Sequence, residues 1–255
     1  MRRVRILLAA FSALALGGLA VWWLALRDAP APVSVGEAVA GFRESAEAGA
    51  VADRLPDPGV YVYAATGSES VDALIGSTHE YPAELTVTVL HEGCGLVLSW
   101  SFLEGRSTSR EYCPSSAGLE LRRQTEVHTF FGRKETTDYR CEPGSLARPA
   151  GDLAGTTFGW RCSTGTKTET AEGEVVGVET LTVAGAAVET VHLRAETLLE
   201  GVTRGTGGVE LWLERSTGLP IRQVTWNDNV TDAAIGEVRY QERYELELTS
   251  LEPRL

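Results

Sequence analysis

The 255-residue chain has only two lysines, Lys134 and Lys167, and four histidines, and it lacks the short arrangements that usually announce an enzyme. His79-Glu80 and His91-Glu92 begin like a zincin helix, but no histidine follows either glutamate three residues on, so the ligand pair is missing. Both read as loop or strand-end residues. No Gly-x-Ser-x-Gly elbow is present to present a nucleophile. The glycine-rich RGTGGV at 204–209 has neither the spacing nor the following helix of a phosphate loop, and reads as a hairpin connection. There is no Cys-x-x-Cys and no histidine pair to complete a metal site, which leaves the four cysteines a structural role. These absences point away from catalysis and from any cofactor. Sequence repeats are absent too.

Positive charge is scarce wherever the chain is exported. Arg2, Arg3 and Arg5 precede a run from Ile6 to Leu26 that carries no charge until Arg27. At 1.5 Å per helical residue this run spans roughly 31 Å, the thickness of a hydrocarbon core. A cleaved signal peptide would share the charged start, but its apolar core is about 7–15 residues, and Pro32 follows the cleavage-like triplet Ala29-Pro30-Ala31. The segment therefore reads as a single transmembrane anchor with the arginines inside and Trp22 and Trp23 at the outer interface. The C-terminus is then extracytoplasmic. Residues 1–27 remove four of the 23 bases and no acid, so the exported part holds 19 bases against 35 acids, a net charge of −16. Such a surface repels nucleic acid. Residues 28–33 form a short linker, and residues 34–255 one exported domain.

All four cysteines, Cys94, Cys113, Cys141 and Cys162, fall in the exported part, where disulfides persist. Three connectivities are open to them. Two strands around Glu104-Gly105 return Cys113 toward Cys94, and Cys141 and Cys162 bracket the excursion EPGSLARPAGDLAG, so the sequential pairs Cys94–Cys113 and Cys141–Cys162 are favoured. Each would close a loop of about 20 residues, contributing on the order of 3 kcal/mol.

Helical signal is confined to the start of the domain. Ser34 and Glu37 form a capping box ahead of a short helix with Val35, Val39 and Phe42 on one face. From Pro58 onward the pattern is alternation broken by turns: segments such as ELTVTVL, LVLSWSFL, VELWLE and IRQVTW read as antiparallel strands. In VELWLERSTGLPIR, Val209, Leu211 and Leu213 share a face, Gly218 permits positive φ, and Pro220 suits the first residue of the returning strand. This is a complete hairpin, with no base or nucleophile positioned in it. His192 alternates with Thr190 and Arg194 and reads as surface-side; Asn229-Val230-Thr231 reads as a polar turn.

The stretch LWLERSTGLPIR, with IGEVRYQERYELELTSLEP after it, resembles the hairpin and closing strand of LolA-type lipoprotein carriers and RseB-type periplasmic regulators. The likeness covers residues 205–253. It implies a mainly β fold, a curved antiparallel sheet or incomplete barrel, enclosing an apolar cavity for acyl chains or lipoprotein segments. The four-cysteine section and the single clear helix depart from that pattern. On the resemblance, the cavity is expected between Trp100, Phe102, Tyr240, Tyr244 and Leu246, with Glu242 near a polar end. Glu242 stands out independently, because it falls in the apolar row Val238, Tyr240, Tyr244, Leu246, Leu248. Unless a local bulge turns it outward, such a carboxylate must find hydrogen bonds, an internal arginine, water, or a proton. Together these features imply a membrane-anchored, non-catalytic binding protein for a lipid or lipidated ligand. The alternative is an envelope-sensing module that recognises another envelope protein.

Overall fold

The computed structural model describes residues 31–45, 55–72, 76–130, 133–233 and 236–255. The anchor read at 6–26 lies outside them, and among the described residues no helix is long and apolar enough to cross a membrane. Among the described residues one helix precedes the sheet, α1 (Val35–Ser45). Its capping box forms as the sequence indicates: the Glu37 amide donates to Ser34 Oγ at 3.2 Å and the Ser34 amide donates to Glu37 Oε2 at 2.9 Å. Phe42 is its buried residue.

Fourteen strands follow: β1 (Gly59–Asp72), β2 (Ser77–Glu80), β3 (Glu84–Glu92), β4 (Gly95–Leu103), β5 (Arg106–Ser115), β6 (Gly118–Phe130), β7 (Arg133–Cys141), β8 (Leu146–Pro149), β9 (Thr157–Ser163), β10 (Lys167–Val183), β11 (Ala186–Gly201), β12 (Thr203–Glu214), β13 (Pro220–Ala233) and β14 (Gly236–Leu248). All pair antiparallel. The sheet runs β10-β11-β12-β13-β14-β1-β3-β4-β5-β6-β7-β9, and β9 then pairs with β10 from Ser163↔Thr168 to Thr157↔Glu174. The barrel of twelve strands is therefore closed, not the incomplete barrel that the resemblance implies. The closing segment, KTETAEGEVVG, has no apolar row. Its inward positions include Lys167 and Glu169, so alternation of hydrophobicity could not reveal it as a strand.

Two further expectations are corrected. RGTGGV is not a connection but the interior of β12: Gly208 lies opposite Trp226, and a Cβ there would sit 2.2 Å from the indole. The glycine lets Trp226 lie flat across the strand. Asn229-Val230-Thr231 is not a turn but part of β13, paired to β12 and β14 on either side. The corner at 217–220 does form. Gly218 holds φ +81° and donates its amide to Glu214 O at 2.8 Å, and Pro220 opens β13. Tyr63 donates its hydroxyl to Pro220 O at 2.6 Å, pinning this corner to β1.

Both disulfides join the sequential partners, Cys94–Cys113 and Cys141–Cys162. The second bridges directly opposed residues of β7 and β9, which pair at only two positions, Arg140↔Ser163 and Cys141↔Cys162. It therefore reinforces the thinnest seam of the ring.

In an up-and-down barrel alternate hairpins share an end. One end, carrying the β3–β4, β5–β6, β10–β11 and β12–β13 turns, is filled by Tyr61, Tyr63, Leu85, Leu96, Leu121, Leu219, Ile221, Leu246 and Leu248, all buried. The other end carries the β4–β5, β6–β7, β9–β10, β11–β12 and β13–β14 hairpins and is open. Replacing Gly218 with valine should destabilise the domain by roughly 1–3 kcal/mol, because a β-branched residue resists this φ. Urea unfolding of the variant beside the parent measures it, and an unchanged midpoint would refute the assigned strain.

Candidate ligand cavity

Polarity inside the barrel rises from the plugged end to the open one. Along β13 the inward side chains read Ile221, Gln223, Thr225, Asn227, Asn229, Thr231; along β14, Leu248, Leu246, Tyr244, Glu242, Tyr240, Val238. A cavity of about 400 Å³ begins where the apolar plug ends. That is room for roughly thirteen waters, and it falls within the range of about 300–1,000 Å³ usual for small-molecule sites.

Trp100, Phe102, Tyr240, Glu242 and Tyr244 line this cavity. Leu246 does not: it is 1 % exposed and packed in the plug, one layer deeper than expected. The wall is also not the apolar one that the resemblance implies. Aromatic and aliphatic surface from Trp100, Phe102, Tyr139, Trp160 and Val209 is interleaved with Arg106, Arg110, Lys167, Glu126, Glu169 and Glu242. The charged rows come from β5, β6 and β10, where residues two apart point inward: Arg106, Thr108, Arg110; Gln124, Glu126, His128; Lys167, Glu169.

Arg106 organises the polar side. Its Nη2 donates to Glu242 Oε1 at 2.8 Å and also reaches the Tyr240 hydroxyl, and its Nη1 donates to His128 Nδ1 at 2.7 Å. Its Nε lies 2.8 Å from Glu69 Oε2 but off the line of the N–H, an ionic contact without a well-aligned hydrogen bond. Glu242 takes further hydrogen bonds from the Tyr81 hydroxyl and from Asn227 Nδ2, the latter at 2.9 Å. Glu69 accepts from Tyr240 at 3.0 Å and lies 3.3 Å from the Tyr81 hydroxyl, whose proton goes to Glu242, and His79 of β2 stands 3.4 Å from its other oxygen. The inward carboxylate thus has its internal arginine.

Burial by itself would push the Glu242 carboxyl up, but the Arg106 charge and the hydrogen bonds from Tyr81, Arg106 and Asn227 outweigh it and hold the group below the usual carboxylate range. Burial would likewise pull Arg106 down, yet its acidic and phenolic neighbours keep it fully charged. His128 is pushed down to about 3, first by burial and then by the Arg106 and Lys167 charges, so it stays neutral and accepts from Arg106. Across the cavity, burial and the nearby Glu169 raise the Glu126 carboxyl against the pull of Lys167, Arg110 and Arg106. Glu169 accepts from the Trp160 indole at 2.7 Å.

Sequence reasoning missed Arg106, Glu69, His128 and the Lys167–Glu169 row, because a charged inward row looks like a solvent-facing one. Only Glu242, sitting among large apolar neighbours, carried a visible signal. His192 is on the outer face as read, but it is 6 % exposed: its ring stacks on Trp212 at 4.1 Å between Glu179 and Glu210, at 2.9 and 3.3 Å from its nitrogens. His91 lies in β3, its Nε2 2.8 Å from Pro56 O. Among the described residues, the grouping near enough to hold an ion is Cys94, Glu111 and Cys113, whose sulfurs are joined to each other.

Arg106→Leu should cost about 3–5 kcal/mol, since it leaves Glu69 and Glu242 buried without their cation. Chemical denaturation at pH 7 tests this, and a loss under 1 kcal/mol would mean that water already carries those charges. A second expectation concerns acid. The folded pKa of His128 lies below its unfolded 6.5, so its contribution is complete above pH 6.5 and lost as pH falls toward about 3. In that window His128→Gln, which keeps an acceptor for Arg106, should flatten the stability–pH slope by up to about 1.4 kcal/mol per pH unit. Parallel pH profiles for variant and parent would show that the ring is protonated in the folded state.

No family model and no curated protein matches the chain. Among solved structures it is similar to the hypothetical lipoprotein YmcC from Escherichia coli (K12), at 13 % identity and a TM-score of 0.33, over 83 % of this chain and 96 % of that one. A likeness at that level decides neither ligand nor role.

Proposed function

We propose that the chain is a membrane-anchored, extracytoplasmic and non-catalytic binding protein that holds a lipid or lipidated ligand inside its barrel. The observation that carries this reading is the cavity of about 400 Å³, whose wall sets charged side chains among aromatic ones above an apolar plug. An amphiphile fits such a wall better than a bare hydrocarbon or a free ion. Its chain meets Trp100, Phe102, Tyr244 and Val209 at about 0.8 kcal/mol per buried methylene, while its polar part lies against groups that already neutralise one another. Those groups favour binding over chemistry. Glu242 is held as a carboxylate by its own arginine, and the His128 Nδ1 lone pair is occupied, so neither is free to move a substrate proton.

A second reading, recognition of an envelope protein, draws on the outer face. There Trp212 is sandwiched between His192 and the Arg222 guanidinium, 4.7 Å from its ring, beside a shallow groove walled by Val224, Trp226 and Arg243. The cavity favours the first reading, because an interface module has no need of an enclosed void.

Fluorescent acyl amphiphiles should bind the domain saturably, and lipids should copurify with it when it is isolated from membranes and analysed by mass spectrometry. Thr225→Trp, which places an indole in the cavity, should weaken binding at least tenfold while leaving the circular dichroism unchanged. A parent protein that binds none of the probes and carries no lipid sinks this reading in favour of the second. Leu246→Trp would test packing of the plug, not occupancy of the cavity.

A further inference from the structure

The described chain begins beside the mouth of the barrel. Ala31 accepts a hydrogen bond at its carbonyl from the Glu104 amide at 2.7 Å. Glu104 and Gly105 make the β4–β5 turn, and a Cβ on Gly105 would sit 2.2 Å from Thr129 Oγ1, next to His128 and the β6–β7 hairpin at the open rim. From there α1 runs along β1 and β3 toward the plugged end, where Arg43 Nη2 donates to Leu255 O at 2.6 Å. The chain therefore climbs from mouth to plug on the outside of the barrel. The apolar run that ends at Leu26 is five residues before Ala31.

We infer that the barrel stands on the membrane mouth-down, with the rim hairpins touching the outer leaflet, so that the cavity opens onto lipid headgroups and not into the surrounding medium. Five residues reach at most about 18 Å. The 13 residues of β14 extend roughly 43 Å, or about 30 Å of barrel height at the usual tilt. A tether that short, leaving at the rim, cannot swing the plugged end to the bilayer. The rim also has the chemistry for shallow contact. Val202 sits at the tip of the β11–β12 hairpin and Leu198 four residues before it, each 47 % exposed, with the Val202 amide and carbonyl tied to Thr166 and Asp232 so that the tip is held outward. Broad electrostatic adsorption is not available to a domain of net charge −16, so contact has to come from the tether and from apolar tips of this kind. The inference rests on the proposed anchor and ligand: a mouth pressed to the leaflet lets an amphiphile pass between bilayer and barrel without crossing water.

The test uses the full chain in nanodiscs of phosphatidylethanolamine and phosphatidylglycerol. Val202→Cys at the rim and Ala187→Cys in β11 beside the far β10–β11 turn each carry an environment-sensitive fluorophore, and lipids spin-labelled at the headgroup act as quenchers. The rim label should be quenched at least threefold more than the far one. Equal quenching, stronger quenching at Ala187→Cys, or a mature chain found by mass spectrometry to lack residues 1–27 would overturn the orientation. Acyl-probe binding measured on the same samples separates the two ideas. Binding with the wrong orientation defeats only this inference, and the right orientation without binding defeats only the ligand reading.

Discussion

Seven residue pairs between β9 and β10, from Ser163↔Thr168 to Thr157↔Glu174, turn an open sheet into a ring, and the remaining features depend on that closure. Unpaired strand edges invite association with other chains, and a closed barrel has none. Closure also creates an inside, in which every second residue of twelve strands must be accommodated. The ring is weakest one strand further on, where β7 and β9 share only two pairs, and there the chain places a covalent bond, Cys141–Cys162. The bridge and the ladder are two answers to one requirement: the seam must hold for the interior to stay enclosed.

Given an enclosed interior, its two halves solve the burial problem differently. At the plugged end Tyr61, Tyr63, Leu85, Leu96, Leu121, Ile221 and Leu246 remove apolar surface from water in the ordinary way. Toward the mouth the inward rows turn to glutamate, arginine and asparagine, and burial is tolerated because the charges meet one another. Arg106 is the hub, contacting Glu69, Glu242, Tyr240 and His128 within one side-chain length. A network of this type adds little net stability over apolar packing, and losing one member is costly. Its value lies in fixing polar groups in place at the edge of a void that an apolar core would have filled.

The elements that could be read in advance are those whose chemistry is local. The Ser34–Glu37 capping box, the Gly218-Leu219-Pro220 corner and the alternation in LVLSWSFL each depend on a few neighbouring residues, and each forms. The Cys94–Cys113 bridge follows from strand-turn-strand geometry, and Cys141–Cys162 from the excursion that the two residues bracket. RGTGGV failed for an instructive reason. Glycines usually punctuate strands, but here one makes way for Trp226, contributed by a strand 18 residues further on. Lys167 to Gly177 gave no strand signal because its inward row, Lys167, Glu169, Ala171, Gly173 and Val175, mixes charged and small residues, so that it does not stand out from the solvent-facing row.

What the sequence determined by itself is the apolar run ahead of an acidic domain, the antiparallel β character, the corner and the preference for sequential cysteine pairs, since these depend on composition and on contacts close in sequence. Only the tertiary structure decided that the barrel closes, that Glu242 meets Arg106 from a strand 136 residues away, that Leu246 belongs to the plug and not the wall, and that charged side chains are set among the aromatic ones around the void. The physical reason is the period-two geometry of a strand. It says that two sets of side chains face opposite ways, but which set is inside, and whom each side chain meets there, depends on strands brought together from the whole length of the chain.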